Sequence, residues 1–114
     1  KSRRKQLHRT LVRGGVARTR DASFVVVNPA HIAIAIRYAP PAAAVPKILV
    51  RAADDAAREV RRLAERAGVP VIEDVPLARL LWRCGDTGRP IPPESFVAVA
   101  YAIAALVRAG VLEA

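Results

Sequence analysis

Residues 24–36 read Phe-Val-Val-Val-Asn-Pro-Ala-His-Ile-Ala-Ile-Ala-Ile, two apolar runs joined by a short polar corner. The first run, 24–27, consists of strand-forming residues, and the second, 31–38, alternates isoleucine with alanine. This alternation places the isoleucines on one face of a strand and the alanines on the other. Because both faces are apolar, the pattern predicts a central strand that other elements cover on both sides.

The corner between the two runs consists of Asn28, Pro29, Ala30 and His31. Asparagine and proline are common turn residues, so an unreactive turn is one interpretation. Proline has no backbone N–H, which closes the usual attack of the following backbone nitrogen on an asparagine side chain. The side-chain nitrogen of Asn28 can still attack its own backbone carbonyl carbon and expel the Pro29 nitrogen. Such a step requires close positioning and a polarised carbonyl, because a neutral amide is a poor nucleophile.

Strand and helix patterns alternate along the rest of the chain. Short strands are predicted at 47–51 and 71–72, and helices over 53–67, 76–83 and 92–109. The last helix is apolar around most of its circumference, which predicts that it is well buried. This order of elements predicts an α/β fold in three layers, with four strands in the sheet.

The positive charge of the chain is concentrated at one end. The 114 residues carry a net charge of +9 and fit a single globular domain. Residues 1–20 contain eight Lys and Arg and no acidic residue, whereas residues 21–114 contain eleven basic and ten acidic residues. We therefore divide the chain into a basic helical arm, 1–20, and a globular domain, 21–114. The arm suits nucleic acid, an anionic membrane surface or plain solvation.

Two other function classes can be weighed from the residue types. The alternative function is a nucleic-acid-binding module that uses residues 1–20. The arm has no aromatic residue to stack on bases and no known DNA-reading motif, so binding to nucleic acid is not favoured. An enzyme that turns over a separate substrate is not expected. The two histidines lie far apart, and the paired carboxylates are adjacent residues that point to different faces. We expect no metal and no cofactor.

The cysteine count and the length of the apolar stretches indicate whether the chain forms disulfides or spans a membrane. The only cysteine, Cys84, allows no internal disulfide, and we expect it to be a small buried residue beside Leu81 and Trp82. The longest uncharged apolar stretch, 95–107, is too short to span a bilayer. We therefore expect this fragment itself to be soluble, and monomeric in isolation.

Three sequence blocks, in this order and spacing, resemble the cytoplasmic domain of the FlhB/YscU-type export switch proteins of bacterial type III secretion systems. The blocks are residues 27–33 with 37–38, residues 69–73 with 76–79, and residues 91–92 with 96 and 98–100. The resemblance covers nearly the whole chain. It implies a small mixed sheet surrounded by helices, joined through a basic helical linker like residues 1–20 to a membrane-embedded N-terminal region.

The resemblance also implies self-cleavage between Asn28 and Pro29. The corresponding motif in the family is Asn-Pro-Thr-His. Asn28 is then the cyclising nucleophile and Pro29 supplies the leaving nitrogen. His31 is a candidate general base or orienting residue, because imidazole exchanges protons near neutral pH, or else a turn residue without a catalytic role. Ala30 stands where the family has threonine. A methyl group cannot polarise the carbonyl or hold the turn as a hydroxyl can, so we expect slow or absent cleavage.

The function implied by the resemblance is a switch of substrate specificity during protein export. The domain is expected at the cytoplasmic face of the bacterial inner membrane, as part of a flagellum or an injectisome. Its implied partners are the export gate and other type III secretion apparatus proteins, and export substrates or their chaperones. The only enzymatic event implied is a single-turnover cleavage of its own chain.

Overall fold

The computed structural model describes residues 15–29 and 31–113. Ala30 and residues 1–14, which include most of the predicted basic arm, lie outside the described residues. The strands are β1 (Phe24–Asn28), β2 (Ile32–Arg37), β3 (Lys47–Ala53) and β4 (Val71–Glu73). The α-helices are α1 (Asp54–Ala67), α2 (Val75–Cys84) and α3 (Phe96–Arg108), with short 3-10 helices at Arg18–Asp21 and Pro93–Ser95.

The four strands form one mixed sheet in the order β3-β2-β1-β4. β2 runs antiparallel to both β1 and β3, whereas β1 and β4 are parallel. β1 and β2 therefore occupy the centre of the sheet, and every residue of β1 has a partner on β2. The predicted α/β fold with a small four-stranded mixed sheet is confirmed.

The alternating pattern of β1 and β2 divides the core between the two faces of the sheet. On one face, Val25, Val27 and the alanines of β2 pack with Val60 and Ala64 of α1. On the other, Phe24, Val26 and the isoleucines of β2 pack with residues of α2. Burying one such large apolar side chain contributes about 1.5–3 kcal/mol. The predicted central strand, covered on both sides, is confirmed.

Short polar signals set the ends of the helices. The Asp74 side chain accepts a hydrogen bond from the Leu77 N–H at 3.1 Å, which caps the N-terminus of α2. Gly68 ends α1 with φ 73°, a left-handed conformation that glycine adopts without steric cost. These caps allow α1 and α2 to begin or end within a few residues of the strands that they cover.

Two expectations about burial are wrong. The last helix is largely exposed: Val99 is its only fully buried residue, and Val97 and Tyr101 are 69% and 72% exposed. The reason is that α2 already covers this face of the sheet, so α3 packs only along the margin of the α2-side core. Cys84 is exposed, since it is the last residue of α2 and lies beyond the part of the helix that the sheet buries.

The close approach of Gly85 to the core gives a test of this packing. A Cβ at Gly85 lies 2.5 Å from Ile48 Cδ1 and 2.6 Å from the Leu81 carbonyl oxygen. We expect Gly85→Ala to lower the free energy of unfolding by about 1–3 kcal/mol, because a packed core resists overfilling. Urea denaturation followed by circular dichroism measures this. Gly15→Ala is the control, because a Cβ there meets no atom of the described residues within 4 Å, and it should stay within about 1 kcal/mol of the parent. Equal stability of the Gly85 variant and the parent contradicts the packing described.

Candidate functional site

The Asn28–Pro29 peptide bond lies at the point where β1 ends and the chain turns back into β2. Asn28 pairs with Ile32 across the two strands, so three residues form the connection. The backbone N–H of His31 donates a hydrogen bond to the Asn28 carbonyl oxygen at 3.0 Å. This bond closes a β-turn and also polarises the carbonyl group whose carbon a cyclising side chain has to attack.

Both ends of the turn are tied to neighbouring elements. The Val27 carbonyl oxygen accepts a hydrogen bond from the Asp74 N–H, 3.1 Å away, just after β4. The His31 carbonyl oxygen accepts one from the N–H of Asp54, at 3.0 Å, where α1 begins. Asp54 itself has φ 53°, a conformation that aspartate adopts more readily than most residues. Val27 and His31, on either side of the turn, are thus held by the end of β4 and the start of α1.

The structure brings three of the four predicted site residues together in this turn. Asn28 and Pro29 are half-buried, and His31 is exposed. Neither the Asn28 amide nor the His31 ring makes a side-chain hydrogen bond with another described residue. No such bond therefore holds the amide away from its own carbonyl. Ala30 lies outside the described residues, and its role stays a prediction.

Two other features are absent from the described residues. Across residues 15–29 and 31–113, no group of three or more His, Cys, Asp and Glu side chains is placed to hold a metal ion. No helix that these residues form is both long and apolar enough to cross a bilayer.

Arginines line two cavities that reach Ile32, the residue after the turn, a feature that the sequence did not predict. On the α1 side a cavity of about 220 Å³ is lined by Val27, Pro29, Ile32, Ala57, Arg58 and Arg61. On the α2 side a cavity of about 440 Å³ is lined by Ile32, Arg79, Trp82 and Arg83. The spacing of Arg79 and Arg83 on a predicted helix was a signal that they share a face. The sequence alone did not place that face beside the turn.

Trp82 is held in place by an arginine from the sheet. The Arg51 guanidinium carbon lies 4.6 Å from the centroid of the Trp82 ring, which is a cation–π contact. Arg51 Nη2 also donates a hydrogen bond to the Trp82 carbonyl oxygen. Arg51 thus links β3 to α2 and fixes the indole at the edge of the larger arginine-lined cavity.

A separate apolar groove lies beside α3. It has a volume of about 360 Å³ and is formed by the loop between β2 and β3 together with α3, with Val45, Pro46, Phe96, Ala100 and Ile103 among its lining residues. Phe96 is 44% exposed, and Val45 is 37% exposed. The poor burial of α3 therefore leaves a contiguous apolar surface open to solvent, of the kind that marks interaction sites.

Comparison with known sequences gives consistent matches. The family model described as the FlhB HrpN YscU SpaS family matches residues 1–106. The flagellar biosynthetic protein FlhB of Treponema pallidum (strain Nichols) is 38% identical over 96 residues, which are 84% of this chain and 25% of that protein. The hypersensitivity response secretion protein HrcU of Ralstonia nicotianae is 43% identical over 83 residues, 73% of this chain and 23% of the relative. The chain thus spans about a quarter of the length of these curated relatives.

Solved structures match the fold. The cytoplasmic domain of FlhB from Shewanella putrefaciens superposes with a TM-score of 0.79 at 29% identity, covering 85% of this chain and 80% of that one. A mutated EscU C-terminal domain, in which an asparagine is replaced by alanine, superposes with a TM-score of 0.75 at 32% identity. That match covers 80% of this chain and 91% of the EscU chain. The sheet and its helices are therefore those of the FlhB and EscU domains.

Proposed function

Because this chain belongs to the FlhB HrpN YscU SpaS family, which matches it over residues 1–106, we propose that it is a specificity-switch domain of a type III secretion export apparatus. The proposed switch is self-cleavage between Asn28 and Pro29. The observation that carries the proposal is the hydrogen bond from the His31 N–H to the Asn28 carbonyl oxygen, 3.0 Å long, at the end of a rigid hairpin.

The proposed reaction needs no second substrate in its first stage. Asn28 Nδ2 attacks the Asn28 carbonyl carbon, and the bond from that carbon to the Pro29 nitrogen breaks. Nδ2 loses one proton and the Pro29 nitrogen gains one, so the products are a C-terminal cyclic imide and a free proline amine. The His31 N–H stabilises the negative charge that forms on the carbonyl oxygen. In the proposed reaction the exposed His31 ring carries the proton, as a general base and then acid.

The proposed cut changes the surface while it leaves the core in place. Phe24, Val25, Val26 and Val27 are buried, and β1 is paired on both sides, to β2 and to β4. These contacts do not depend on the peptide bond after Asn28. Cleavage therefore frees two chain ends at Asn28 and Pro29, which can reorient, and exposes a different binding surface to a partner.

The proposed setting is the cytoplasmic face of the bacterial inner membrane, with residues 1–20 as the link to a membrane-embedded region. Partners of the domain are then other proteins of the export apparatus, and export substrates or their chaperones. The apolar groove beside α3 is the proposed docking site for export substrates, because it is the apolar surface that the fold leaves open. The groove lies apart from the turn, so docking and cleavage use different residues.

Restoring a hydroxyl group at position 30 tests the cleavage. We expect Ala30→Thr to speed cleavage on the order of a hundredfold, since one added donor to a developing oxyanion has effects of that size. The parent chain should run as one band on a denaturing gel, and the variant should yield pieces 1–28 and 29–114. Intact-mass measurement should find the first piece lighter by one water than the free acid until the imide hydrolyses.

Ala30→Val is the matched control, because valine has the shape of threonine without its hydroxyl. It should stay whole, as should the double variant Asn28→Ala, Ala30→Thr, which lacks the nucleophile. If Ala30→Thr also stays whole over days, the cleavage proposal is wrong for this chain. If Ala30→Val is cut as fast as Ala30→Thr, the hydroxyl is not the missing group.

Two alanines of α3 give a test of substrate docking. Ala100 and Ala105 are both exposed, but only Ala100 lines the apolar groove. We expect Ala100→Asp, placed in the full-length protein in its host cells, to lower the amount of secreted substrate at least about tenfold, because a buried carboxylate at the interface is costly. Ala105→Asp should leave export unchanged. Equal secretion from the two variants contradicts docking in this groove.

A further inference from the structure

We propose that the two arginine-lined cavities beside the Asn28–His31 turn form one surface that binds an acidic peptide segment, independently of cleavage. Ile32, the residue that follows the turn, lines both cavities, so they adjoin around the start of β2. We call them together the arginine surface, which consists of Ile32 and Trp82 with Arg58, Arg61, Arg79 and Arg83.

The charge of this surface has a single sign. Every charged side chain that lines the two cavities is an arginine. Arg79 and Arg83 lie four residues apart on α2 and are both exposed, and like charges at this spacing repel each other. Neither forms an ion pair with an acidic residue in the part of the chain that the structure describes. A carboxylate between them relieves the repulsion, and the planar guanidinium groups suit it.

The α1 side of the arginine surface is also positively charged. Arg58 forms an ion pair with Asp55, whereas Arg61 forms none with any described residue. Glu73 of β4 is exposed and lies opposite Val27 in the parallel register. Glu73 forms no ion pair with these arginines. Apart from Arg58, the arginines of the surface therefore form no ion pair within the described residues, and an acidic partner fits them.

The shape and the apolar floor favour a peptide over other anionic partners. One cavity is lined by residues of α1 and the other by residues of α2, and both reach Ile32, so an extended chain segment can follow the two around the start of β2. The only aromatic ring that lines them is Trp82, which Arg51 already stacks upon, so the surface offers little for stacked bases. Half-buried Ile32 and Trp82 instead suit an aliphatic side chain between two carboxylates.

Trp82 is the only tryptophan in the chain and therefore reports on this surface. The experiment titrates the full chain with a synthetic Glu-Leu-Glu-Glu-Leu-Glu peptide, capped at both ends, and follows tryptophan fluorescence. We expect a saturable change, and an apparent affinity that falls as salt rises. The same peptide with glutamine in place of glutamate should bind at least about tenfold more weakly, because hydrogen bonds between ionised groups are stronger than those of a neutral amide. Equal binding of the two peptides overturns the proposal.

Paired arginine substitutions separate a specific surface from the general charge of the protein. The double variant Arg79→Gln, Arg83→Gln should weaken binding at least about tenfold. The matched control is Arg66→Gln, Arg108→Gln, which removes the same charge from two exposed arginines outside the surface, and it should change binding less than about twofold. Arg61→Gln tests the α1 side separately and should weaken binding severalfold. An equal loss in the two double variants overturns the proposal.

Two competing probes complete the design. Vesicles that contain phosphatidylserine and a single-stranded oligonucleotide are each titrated against the parent and the Arg79, Arg83 double variant. We expect the arginine-dependent fluorescence change with the acidic peptide alone. If either of the other probes gives that change and the peptide does not, the surface recognises a lipid headgroup or a nucleic acid, and the acidic-peptide proposal is wrong.

Discussion

The structure depends on one constraint, the burial of the β1–β2 hairpin on both of its faces. Each strand presents apolar residues in both directions, and α1 and α2 each cover one face. A slip of one residue in the register between β1 and β2 exchanges the two sets of side chains, so large isoleucines meet the face built for alanines. The register is therefore strongly specified, and it fixes which residues form the turn.

The proposed reactivity of the turn depends on that constraint. A turn at the end of a loosely paired hairpin samples many conformers, and an Asn-Pro sequence in it has no preferred chemistry. Here the Asn28 carbonyl oxygen has a fixed donor in the His31 N–H, and hydrogen bonds from Asp74 and Asp54 hold the backbone on either side. The rigid hairpin thus supplies pre-organisation, which is the requirement that a weak amide nucleophile imposes. The proposed reaction is local and uses no residue of the sheet beyond Asn28.

The sequence predicted the features that depend on local periodicity. It did not predict those that depend on how distant elements pack against each other. The Ile-Ala alternation of β2 gave the central strand, and Gly68 marked the end of α1, because both signals act within a few residues. The burial of α3 was predicted wrongly. Hydropathy shows that a helix is apolar, but not which surface is available to bury it. In this fold α2 covers the face of the sheet on which α3 could otherwise have packed. Arg58 and Arg61 of α1 lie at least 18 residues before Arg79 and Arg83 of α2 along the chain, and only the fold places both sets beside Ile32.

The central claim is that β1 is held by its strand partners and the core rather than by its covalent bond to β2. The most direct measurement uses pieces 1–28 and 29–114, prepared separately, mixed in urea and refolded together by dilution. Native mass spectrometry should then find a one-to-one complex with the circular dichroism spectrum of the whole chain. A first piece that carries Val26→Asp should not join, because Val26 is fully buried. Recovery of the two pieces as separate species after refolding contradicts the account.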